Sequence, residues 1–310
     1  MNKVNYMFWH TTKDKFNFGD DINPYIINKL TNKEVKKVMV FNNQKSIAFN
    51  FLKILNGIIK GYYNTSIFTE YIRSLIHPNY IVGIGSILQN NFSKKARIWG
   101  SGIISAESNV SESEFYAVRG KKTAERLKKL GYNFKGKIGD PALLLPLIYN
   151  PNIQRSNKIG VIPHVIHFEA TKKHLKNNDE FIIIDLSDTN IEQTINQIKS
   201  CKYIISSSLH GLIVSHAYNT PSLHILLEGG LAGDGIKFLD YYSSVKIEEY
   251  KPINFSDANL LNTANIKDAF EKNGKYSIPK DNVINKIQKD LLSAAPFELS
   301  DKYRRYLLEK

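Results

Sequence analysis

The stretch from Tyr203 to Leu223, YIISSSLHGLIVSHAYNTPSL, most strongly limits how this chain can fold. Its first residues have the length and β-branched content of a buried strand, three serines follow, and an apolar helix pattern begins at Leu209. Such junctions are typical of parallel α/β sheets, in which ligands bind at the carboxyl ends of the strands. The free amides at the start of the helix favour an anionic group. The stretch therefore predicts a parallel sheet with a ligand site at this junction.

His210 lies at the mouth of the junction. Its imidazole exchanges a proton near neutral pH, which suits acid–base catalysis. A buried histidine bonded to a backbone carbonyl gives the same sequence pattern, so the motif leaves both roles open. Ser206, Ser207, Ser208 and Gly211 surround the start of the helix and are candidate binding residues for the same reason.

Two earlier runs repeat this arrangement. YIVGIG at Tyr80–Gly85 and RIWGSG at Arg97–Gly102 predict buried strands that end in glycine turns, with backbone exposed at one edge of a sheet. Gly85 is therefore a candidate for contact with a ligand. Neither run is a GxGxxG fingerprint and no GxxxxGK[ST] loop is present, so dinucleotide binding and NTP hydrolysis lack their usual sequence support.

Turn and polar residues displace the apolar pattern at Tyr149–Asn157, and the pattern of strands and helices then resumes. A strand predicted at Lys158–Pro163 ends at His164, which makes this histidine a candidate binding residue, and another strand follows at Phe181–Leu186. Two such halves would form a cleft toward which the strand ends point.

We therefore predict three parts of the chain. Residues 1–150 form an N-terminal α/β domain on the acceptor side, residues 151–279 form a C-terminal α/β domain on the donor side, and residues 280–310 form helices that pack back across the domains.

The loop NFGDDIN offers four polar side chains, those of Asn17, Asp20, Asp21 and Asn23. Asp20 or Asp21 is predicted to cap a helix that begins near Ile22. The alternative is that the four side chains bind sugar hydroxyls in a cleft. No second cluster of carboxylates or histidines stands at ligand spacing, so we expect no required metal.

Three charged residues stand at other turns. Arg119 follows a short strand at Phe115–Val118, where a guanidinium can bind a carboxylate or phosphate with two hydrogen bonds, or can serve as a surface or capping residue. Asp140, in IGDPALLLP, is predicted to be a turn and cap residue rather than a base. Lys237 follows the glycine-rich GGLAGDG, whose amides can approach an anion, although a mobile surface loop has the same composition.

The charge balance, 42 Lys and Arg against 29 Asp and Glu, gives a formal +13 and favours anionic partners. Nucleic acid is the least supported of these, because the chain has no zinc-finger spacing, RNP signature or dense basic helix. The stretch Asn42–Pro78 alternates apolar residues with lysines in a partly helical pattern. It predicts either a basic amphipathic surface on an anionic bilayer or a helix packed against its own domain.

Cellular location is predicted from what the sequence lacks. No apolar window is long enough to span a bilayer, the amino terminus has no signal-peptide pattern, and Cys201 is the single cysteine. We expect a cytoplasmic protein, peripheral at the inner face of the plasma membrane.

Several motifs together resemble one known family. NFGDDIN, AVRGKKTAERLKKLG, IGDPALLLP, GVIPH, SSSLHGLIVSHAYNTPS and KFLDYYSS run in the order found in the polysaccharide pyruvyl transferases, especially the ketal-pyruvate transferases of exopolysaccharide and capsule biosynthesis. The resemblance covers most of the chain. It implies a GT-B-like pair of Rossmann-type domains with parallel sheets facing a central cleft.

The resemblance also implies a reaction. Pyruvate is transferred from phosphoenolpyruvate to a sugar of a surface polysaccharide or its lipid-linked precursor, forming a cyclic ketal without a cofactor. His210 is implied as the acid and base, and Arg119 as the anchor of the donor. Many members carry an arginine two residues before the histidine, where this chain has Ser208, so Lys237 or Arg119 must supply that cation, or the donor differs.

Two other functions fit the same residues. One is a GT-B glycosyltransferase that uses a nucleotide-sugar donor, and the other is a non-catalytic glycan-binding or membrane-binding relative in which Ser208 marks a disabled site.

Overall fold

The computed structural model of the chain describes residues 4–10, 16–41, 45–229, 234–280 and 282–308. Its strands form one sheet of six and one of five, and all neighbouring strands are parallel. Helices lie between the strands along the chain, so the predicted α/β class is confirmed. The GT-B-like arrangement and the domain limits stay predictions.

The first sheet has a switch in strand order next to its first strand. In chain order its strands are β1 (Asn5–Phe8), β2 (Val35–Lys37), β3 (Ile81–Val82), β4 (Arg97–Trp99), β5 (Glu114–Val118) and β6 (Lys137–Ile138). In space they run β2, β1, β3, β4, β5, β6. The strand that follows β1 in the chain lies on one side of it, and the strand that follows β3 lies on the opposite side. A crevice therefore opens between the carboxyl ends of β1 and β3, where ligands bind in such sheets.

The second sheet repeats this order. Its strands are β7 (Ile159–Ile162), β8 (Phe181–Ile183), β9 (Tyr203–Ser206), β10 (Ser222–Leu226) and β11 (Ile253–Asn254). In space they run β8, β7, β9, β10, β11. The switch therefore falls between β7 and β9, the two strands that lead into His164 and the serine–histidine junction.

Twelve α-helices occur among the described residues. They are α1 (Phe18–Thr31), α2 (Ile47–Ile59), α3 (Ser66–Ile76), α4 (Lys121–Lys129), α5 (Leu145–Ile148), α6 (Phe168–Leu175), α7 (Ile191–Ser200), α8 (Leu209–Ala217), α9 (Ile236–Val245), α10 (Thr263–Asn273), α11 (Val283–Ser293) and α12 (Asp301–Leu308). None of these helices combines the length and apolar content needed to cross a bilayer.

The stretch Tyr203–Leu223 folds as predicted. β9 ends at Ser206 and α8 begins at Leu209. The other predicted strands are present, but some are shorter: the run at 80–85 pairs only at Ile81 and Val82, because the glycines beyond it turn into the site.

The prediction for the start of α1 was wrong. The helix begins at Phe18 rather than near Ile22, and its cap is Asn17, whose side chain accepts a hydrogen bond from Gly19 N at 3.3 Å. Asp20 and Asp21 lie inside the first turn, where their negative charges favour the positive end of the helix dipole.

Side chains from both sheets share the largest core cluster. Met7 and Trp99 from the first sheet belong to the same buried cluster as Ile162 from the second and Leu212 from α8. The two sheets therefore pack through a continuous apolar contact, which fixes the relative positions of their carboxyl ends.

The C-terminal helices lie against the first sheet. Trp99 Nε1 donates to Leu291 O at 3.0 Å, and Gln288 Nε2 donates to Leu143 O at 2.7 Å. Beyond α11, Ser300 N donates to Leu30 O at 2.8 Å. The end of the described chain thus covers the part of the first sheet near Trp99.

Candidate active site

His210 stands where the two switch points meet. It belongs to the first turn of α8, yet its ring packs against α1: a Cβ atom added to Gly19 would lie 2.0 Å from His210 Nδ1. Only glycine leaves room for the imidazole at that point. A residue that follows β9 therefore contacts a helix that follows β1, which joins the carboxyl edges of both sheets in one site.

Asp140 faces the other nitrogen of the imidazole. Its Oδ2 lies 3.9 Å from His210 Nε2, and within the described parts of the chain neither atom has a hydrogen-bond partner. The other oxygen, Oδ1, accepts from Ala142 N at 2.9 Å. The predicted capping role of Asp140 is confirmed, and the carboxyl also aims its second oxygen at the candidate catalytic histidine.

Burial sets the protonation of this pair. It lowers the pKa of His210 to about 3, and the positive charges of Arg119 and Lys237 act in the same direction. Burial raises the pKa of Asp140 to about 7, against the hydrogen bond from Ala142 and the charge of Arg119. Near neutral pH the imidazole is uncharged, and the carboxyl beside it both holds and releases a proton.

Arg119 lies directly after β5 and is buried in a network of hydrogen bonds. Nε donates to Asp240 Oδ2 at 2.9 Å, Nη1 to Ser86 Oγ at 2.6 Å and Nη2 to Ile103 O at 2.8 Å. Asp240 also accepts from Thr123 N and Thr123 Oγ1. The guanidinium thus links the first sheet to α9, and these bonds use three of its five N–H groups.

Lys237 brings a second positive charge to the same place. It is half-buried at the start of α9, and no carboxylate within the described ranges forms a salt bridge with it. Burial, followed by the charge of Arg119, lowers its pKa. Its own charge lowers the pKa of both His164 and His210, so the three side chains share one electrostatic environment.

His164 follows β7 on the other side of the second switch point. Its backbone N donates to Ser207 Oγ at 2.9 Å, which ties the ends of β7 and β9 together. Burial, then the charges of Lys237 and His167, lowers its pKa to about 4. Residues 230–233 of the glycine-rich loop, including Gly230 and Gly233 of the predicted anion loop, lie outside the described residues.

The serines at the junction have different roles. Ser206 Oγ lies 2.9 Å from both Ile162 O and Ser208 O, which share its single proton, and Ser207 Oγ accepts from His164 N. Ser208 takes the N-cap position of α8 without a side-chain cap bond. Gly211 lets α8 approach β9, since a Cβ there would lie 2.3 Å from Ser206 Oγ. Two of the three serine hydroxyls therefore hold the junction together.

The predicted sugar-binding loop lies beside the first switch point. Asn17 Nδ2 donates to Asp20 Oδ2 at 2.7 Å, and Asp21 accepts from Trp9 Nε1 at 3.1 Å and from Asn17 N at 2.8 Å. Burial and the charge of Asp21 raise the pKa of Asp20 to about 7. Gly85, with φ of 130°, lies directly across from Asp20 Oδ1.

Asn23 holds this loop in place. Its amide donates to Ile84 O at 3.1 Å and to Asp20 O at 2.8 Å, and its Oδ1 accepts from Ile84 N at 2.7 Å. Pro24 has no N–H to give to Asp20 O, so the Asn23 side chain satisfies the carbonyl that the proline leaves open. Its bonds to protein groups on both sides make Asn23 a structural link rather than a sugar ligand in this arrangement.

Sequence reasoning missed three parts of the site. Asp240 and Gly19 gave no local signal, because their partners Arg119 and His210 are distant in sequence. Asp140 was recognised only as a cap. The signal that could have identified Asp140 is its place in GDPALLL. The apolar run predicts burial, and capping gives a partner to only one oxygen of a buried carboxylate.

No group of three or more His, Cys, Asp or Glu side chains is arranged to hold a metal ion in the described part of the chain. The expectation of a metal-free reaction stays a prediction.

The fold and the site define a class: an α/β protein with two parallel sheets, whose carboxyl edges bring a histidine, carboxyl groups and two cations together. The model of the family described as polysaccharide pyruvyl transferase matches residues 17–228. The chain belongs to this family of transferases, as the sequence motifs indicated. The match begins after β1, just before α1, and ends just beyond β10.

A protein of Acanthamoeba polyphaga mimivirus described as uncharacterized is 32% identical to this chain over 181 residues. The match covers 54% of this chain and 61% of the viral protein. The chain thus aligns with somewhat over half the length of that relative.

Proposed function

We propose that this protein transfers pyruvate from phosphoenolpyruvate to two hydroxyls of one sugar, forming a cyclic ketal. The acceptor belongs to a surface polysaccharide or to its lipid-linked precursor, met on the cytoplasmic side of the membrane. One observation carries the proposal: a half-buried Lys237, which has no carboxylate partner among the described residues, shares the electrostatic environment of an uncharged His210 at the junction of two strand-order switches.

The reaction makes defined demands on a site. A proton adds to the methylene carbon of phosphoenolpyruvate, a sugar hydroxyl attacks the adjacent carbon and loses its proton, and that carbon then releases phosphate. A second hydroxyl attacks the resulting cation and loses its proton. The products are the ketal, with a methyl and a carboxylate on one carbon, and inorganic phosphate. The site must bind two anionic groups, the carboxylate and the phosphate, and support three proton transfers.

Lys237, Arg119 and the first amides of α8 fit the donor. Phosphate at the start of α8 meets unbonded amides, and Lys237 adds a positive charge close by. Arg119 has two N–H groups left for the donor carboxylate. In this assignment Lys237 supplies the cation that is missing at Ser208, and Ser208 itself leaves space for the donor.

His210 and Asp140 fit the proton transfers. Burial holds the imidazole uncharged near neutral pH. The negative charges of the bound donor raise the pKa of His210, since an opposite charge nearby favours the protonated form. Asp140, whose pKa is about 7, is a source of that proton and orients the ring through Nε2. His210 is the catalytic acid, and Asp140 is a positioning residue behind it.

Asp20 fits the acceptor side. It lies next to Gly19 at the first switch point, and its pKa of about 7 suits a base that accepts a proton from a sugar hydroxyl. Its bond to Asn17 leaves Oδ1 facing Gly85.

The decisive experiment supplies phosphoenolpyruvate and a panel of lipid-linked and synthetic glycosides, and follows both phosphate release and the mass of the glycosides. We expect one glycoside to gain the mass of pyruvate minus water, with one phosphate released for each ketal formed. His210→Ala should lose at least about a hundredfold in kcat. Lys237→Met should raise the KM for phosphoenolpyruvate instead.

Donor binding is tested without any acceptor. Phosphoenolpyruvate should raise the melting temperature of the wild-type protein and raise it less for Lys237→Met, with Lys251→Met as a control on a nearby exposed lysine. Stabilisation by a UDP- or GDP-sugar with no effect of phosphoenolpyruvate would contradict the donor assignment and favour a glycosyltransferase. Binding of an oligosaccharide without phosphate release would favour the non-catalytic alternative.

A further inference from the structure

Exposed apolar side chains are concentrated in one small part of the molecule. Of the fourteen large hydrophobic side chains that are exposed among the described residues, nine lie between residues 47 and 76. They are Ile47, Phe49, Leu52, Leu55, Ile59, Tyr62, Ile72, Leu75 and Ile76. We call this segment, α2 with α3, the apolar hairpin. A concentration of exposed apolar side chains in one segment marks an interaction site.

The exposure follows from how α2 packs. Its inner face buries only Asn50, Ile54 and Gly57, which repeat at helical spacing. Ile54 packs in the cluster of Phe41 and Tyr71, Asn50 bonds to Tyr71, and Gly57 faces Tyr63. The opposite face carries a second stripe at the same spacing, of which Leu52 is 66% exposed and Ile59 is 76% exposed. This helix is therefore apolar on both sides, and its own domain covers one side alone.

All but one of the charged residues in and next to the apolar hairpin are basic. Between residues 45 and 76 the basic residues are Lys45, Lys53, Lys60 and Arg73, whereas Glu70 is the only acidic one. Glu70 is drawn inward, 3.9 Å from Lys37, with its side chain 15% exposed. The outer surface of the hairpin thus combines apolar side chains with lysines whose stems can lie along an interface while their amines reach anionic groups.

We propose that the apolar hairpin is the surface through which this protein binds an anionic lipid bilayer, with the outer stripe of α2 at the acyl boundary and its lysines at the headgroups. Helices of this kind lie in the interface plane rather than across it. A second copy of the chain fits less well. A two-fold contact through this surface would bring the lysines of both copies, Lys53 and Lys60, into one interface, with no acidic residue in α2 to neutralise them.

The hairpin also lies on the side of the first sheet that carries the site. It follows β2, and Met39 N, just after that strand, donates to Glu70 O of α3 at 3.1 Å. Lys37 at the end of β2 lies over the ring of Trp9, whose Nε1 bonds to Asp21 of α1. A bilayer on the hairpin would therefore lie near the carboxyl edge of the sheet rather than behind it.

The test is co-sedimentation of the full chain with vesicles, without any substrate. Vesicles of phosphatidylcholine and phosphatidylglycerol in equal parts should carry the protein down at low salt, and vesicles of phosphatidylcholine alone should carry much less. Leu52→Gln with Ile59→Gln should lower the partition coefficient at least about tenfold. Lys53→Gln with Lys60→Gln should lower it by roughly fivefold per lysine and reduce its dependence on salt.

The matched control replaces exposed leucines elsewhere, Leu260→Gln with Leu308→Gln, and should sediment like the wild type. Because all the changed side chains are exposed, thermal melts should show that every variant remains folded. Failure of the wild type to sediment would overturn the proposal, as would unchanged sedimentation of the Leu52 and Ile59 variant. A wild-type dimer that this variant dissociates would assign the surface to self-association instead. None of these results depends on pyruvyl transfer, which is measured separately with soluble acceptors.

Discussion

At the scale of single residues, the position of the His210 imidazole depends on Gly19 having no side chain. Gly19 lies within the first turn of α1, and a Cβ there would meet His210 Nδ1 at 2.0 Å. Alanine suits a helix better than glycine, so backbone preference and site geometry oppose each other at this position.

We expect Gly19→Ala to lower kcat at least about tenfold, because the ring must move away from its position between Asp140 and α1. The free energy of unfolding should change by less than about 2 kcal/mol, since the gain in helix propensity offsets part of the strain. Kinetics and urea denaturation measure the two effects. Gly274→Ala, at a glycine with open space around its Cβ position, should leave kcat unchanged; a normal kcat in Gly19→Ala would contradict the proposed role of His210.

Asp140 should make stability depend on pH. Its pKa is raised in the folded protein to about 7, above the ordinary value, so its contribution is fully present in acid and is lost as pH rises through about 7. We expect Asp140→Asn to exceed the wild type in free energy of unfolding by a few kcal/mol at pH 8 and by clearly less at pH 5, because the variant no longer buries a negative charge.

The measurement is urea denaturation of both proteins at the two pH values. Asp257→Asn is the control that separates the effect of capping from the effect of burial. Asp257 also caps a turn, accepting from Asn259 N at 2.9 Å, but its side chain is exposed. The two proteins should differ more in free energy of unfolding at pH 8 than at pH 5. The opposite order would rule out a buried Asp140 carboxyl that ionises near neutral pH.

At the scale of elements, Asn23 joins α1 to the turn after β3. Asn23→Ala would leave Ile84 N and O without their partner and would free the carbonyl of Asp20 beside Pro24. We expect a loss of about 2–4 kcal/mol in the free energy of unfolding, because each buried polar group left unpaired costs about 1–3 kcal/mol. Asn28→Ala, in the same helix but exposed, should cost less than about 1 kcal/mol by the same denaturation measurement.

The elements also show where sequence reasoning succeeds. Strand–turn–helix junctions were predictable because apolar runs, serines and glycines act locally, and β9 followed by α8 is the clearest case. The start of α1 was misplaced because Asn17, Asp20 and Asp21 are all good caps, and the choice among them depends on distant contacts: Phe18 N donates to Leu186 O. The short β2 and β11 were not predicted, since three or two residues carry too little pattern.

At the scale of the whole molecule, one buried ion pair connects the two sheets. Arg119 is 1% exposed and Asp240 is fully buried, and each belongs to a different half of the chain. The sequence could not predict the pair, because Arg119 looked like a residue for a ligand and Asp240 like part of a helix. Removing either charge leaves the other buried without compensation.

We expect Asp240→Asn to destabilise the protein by about 3–5 kcal/mol, and Arg119→Met by a similar amount. The double variant should lose clearly less than the sum, so that a double-mutant cycle by urea denaturation gives a coupling of about 1–3 kcal/mol. The exposed pair Lys94–Glu112, 2.7 Å apart, is the control and should give a coupling below about 1 kcal/mol. Additive losses at Arg119 and Asp240 would contradict a stabilising link between the sheets.

The contact between Trp99 and α11 has a consequence for how the protein is made. Trp99 Nε1 and Leu291 O are separated by 192 residues, so a ribosome must add both sheets and most of the helices before the partner of Trp99 emerges. Until then, the apolar face around Trp99 is uncovered in the nascent chain, which is the state in which proteins aggregate or recruit chaperones. The first sheet is thus synthesised early but completed late, and a shortened chain that ends before α11 should be recovered as an aggregate rather than as a smaller enzyme.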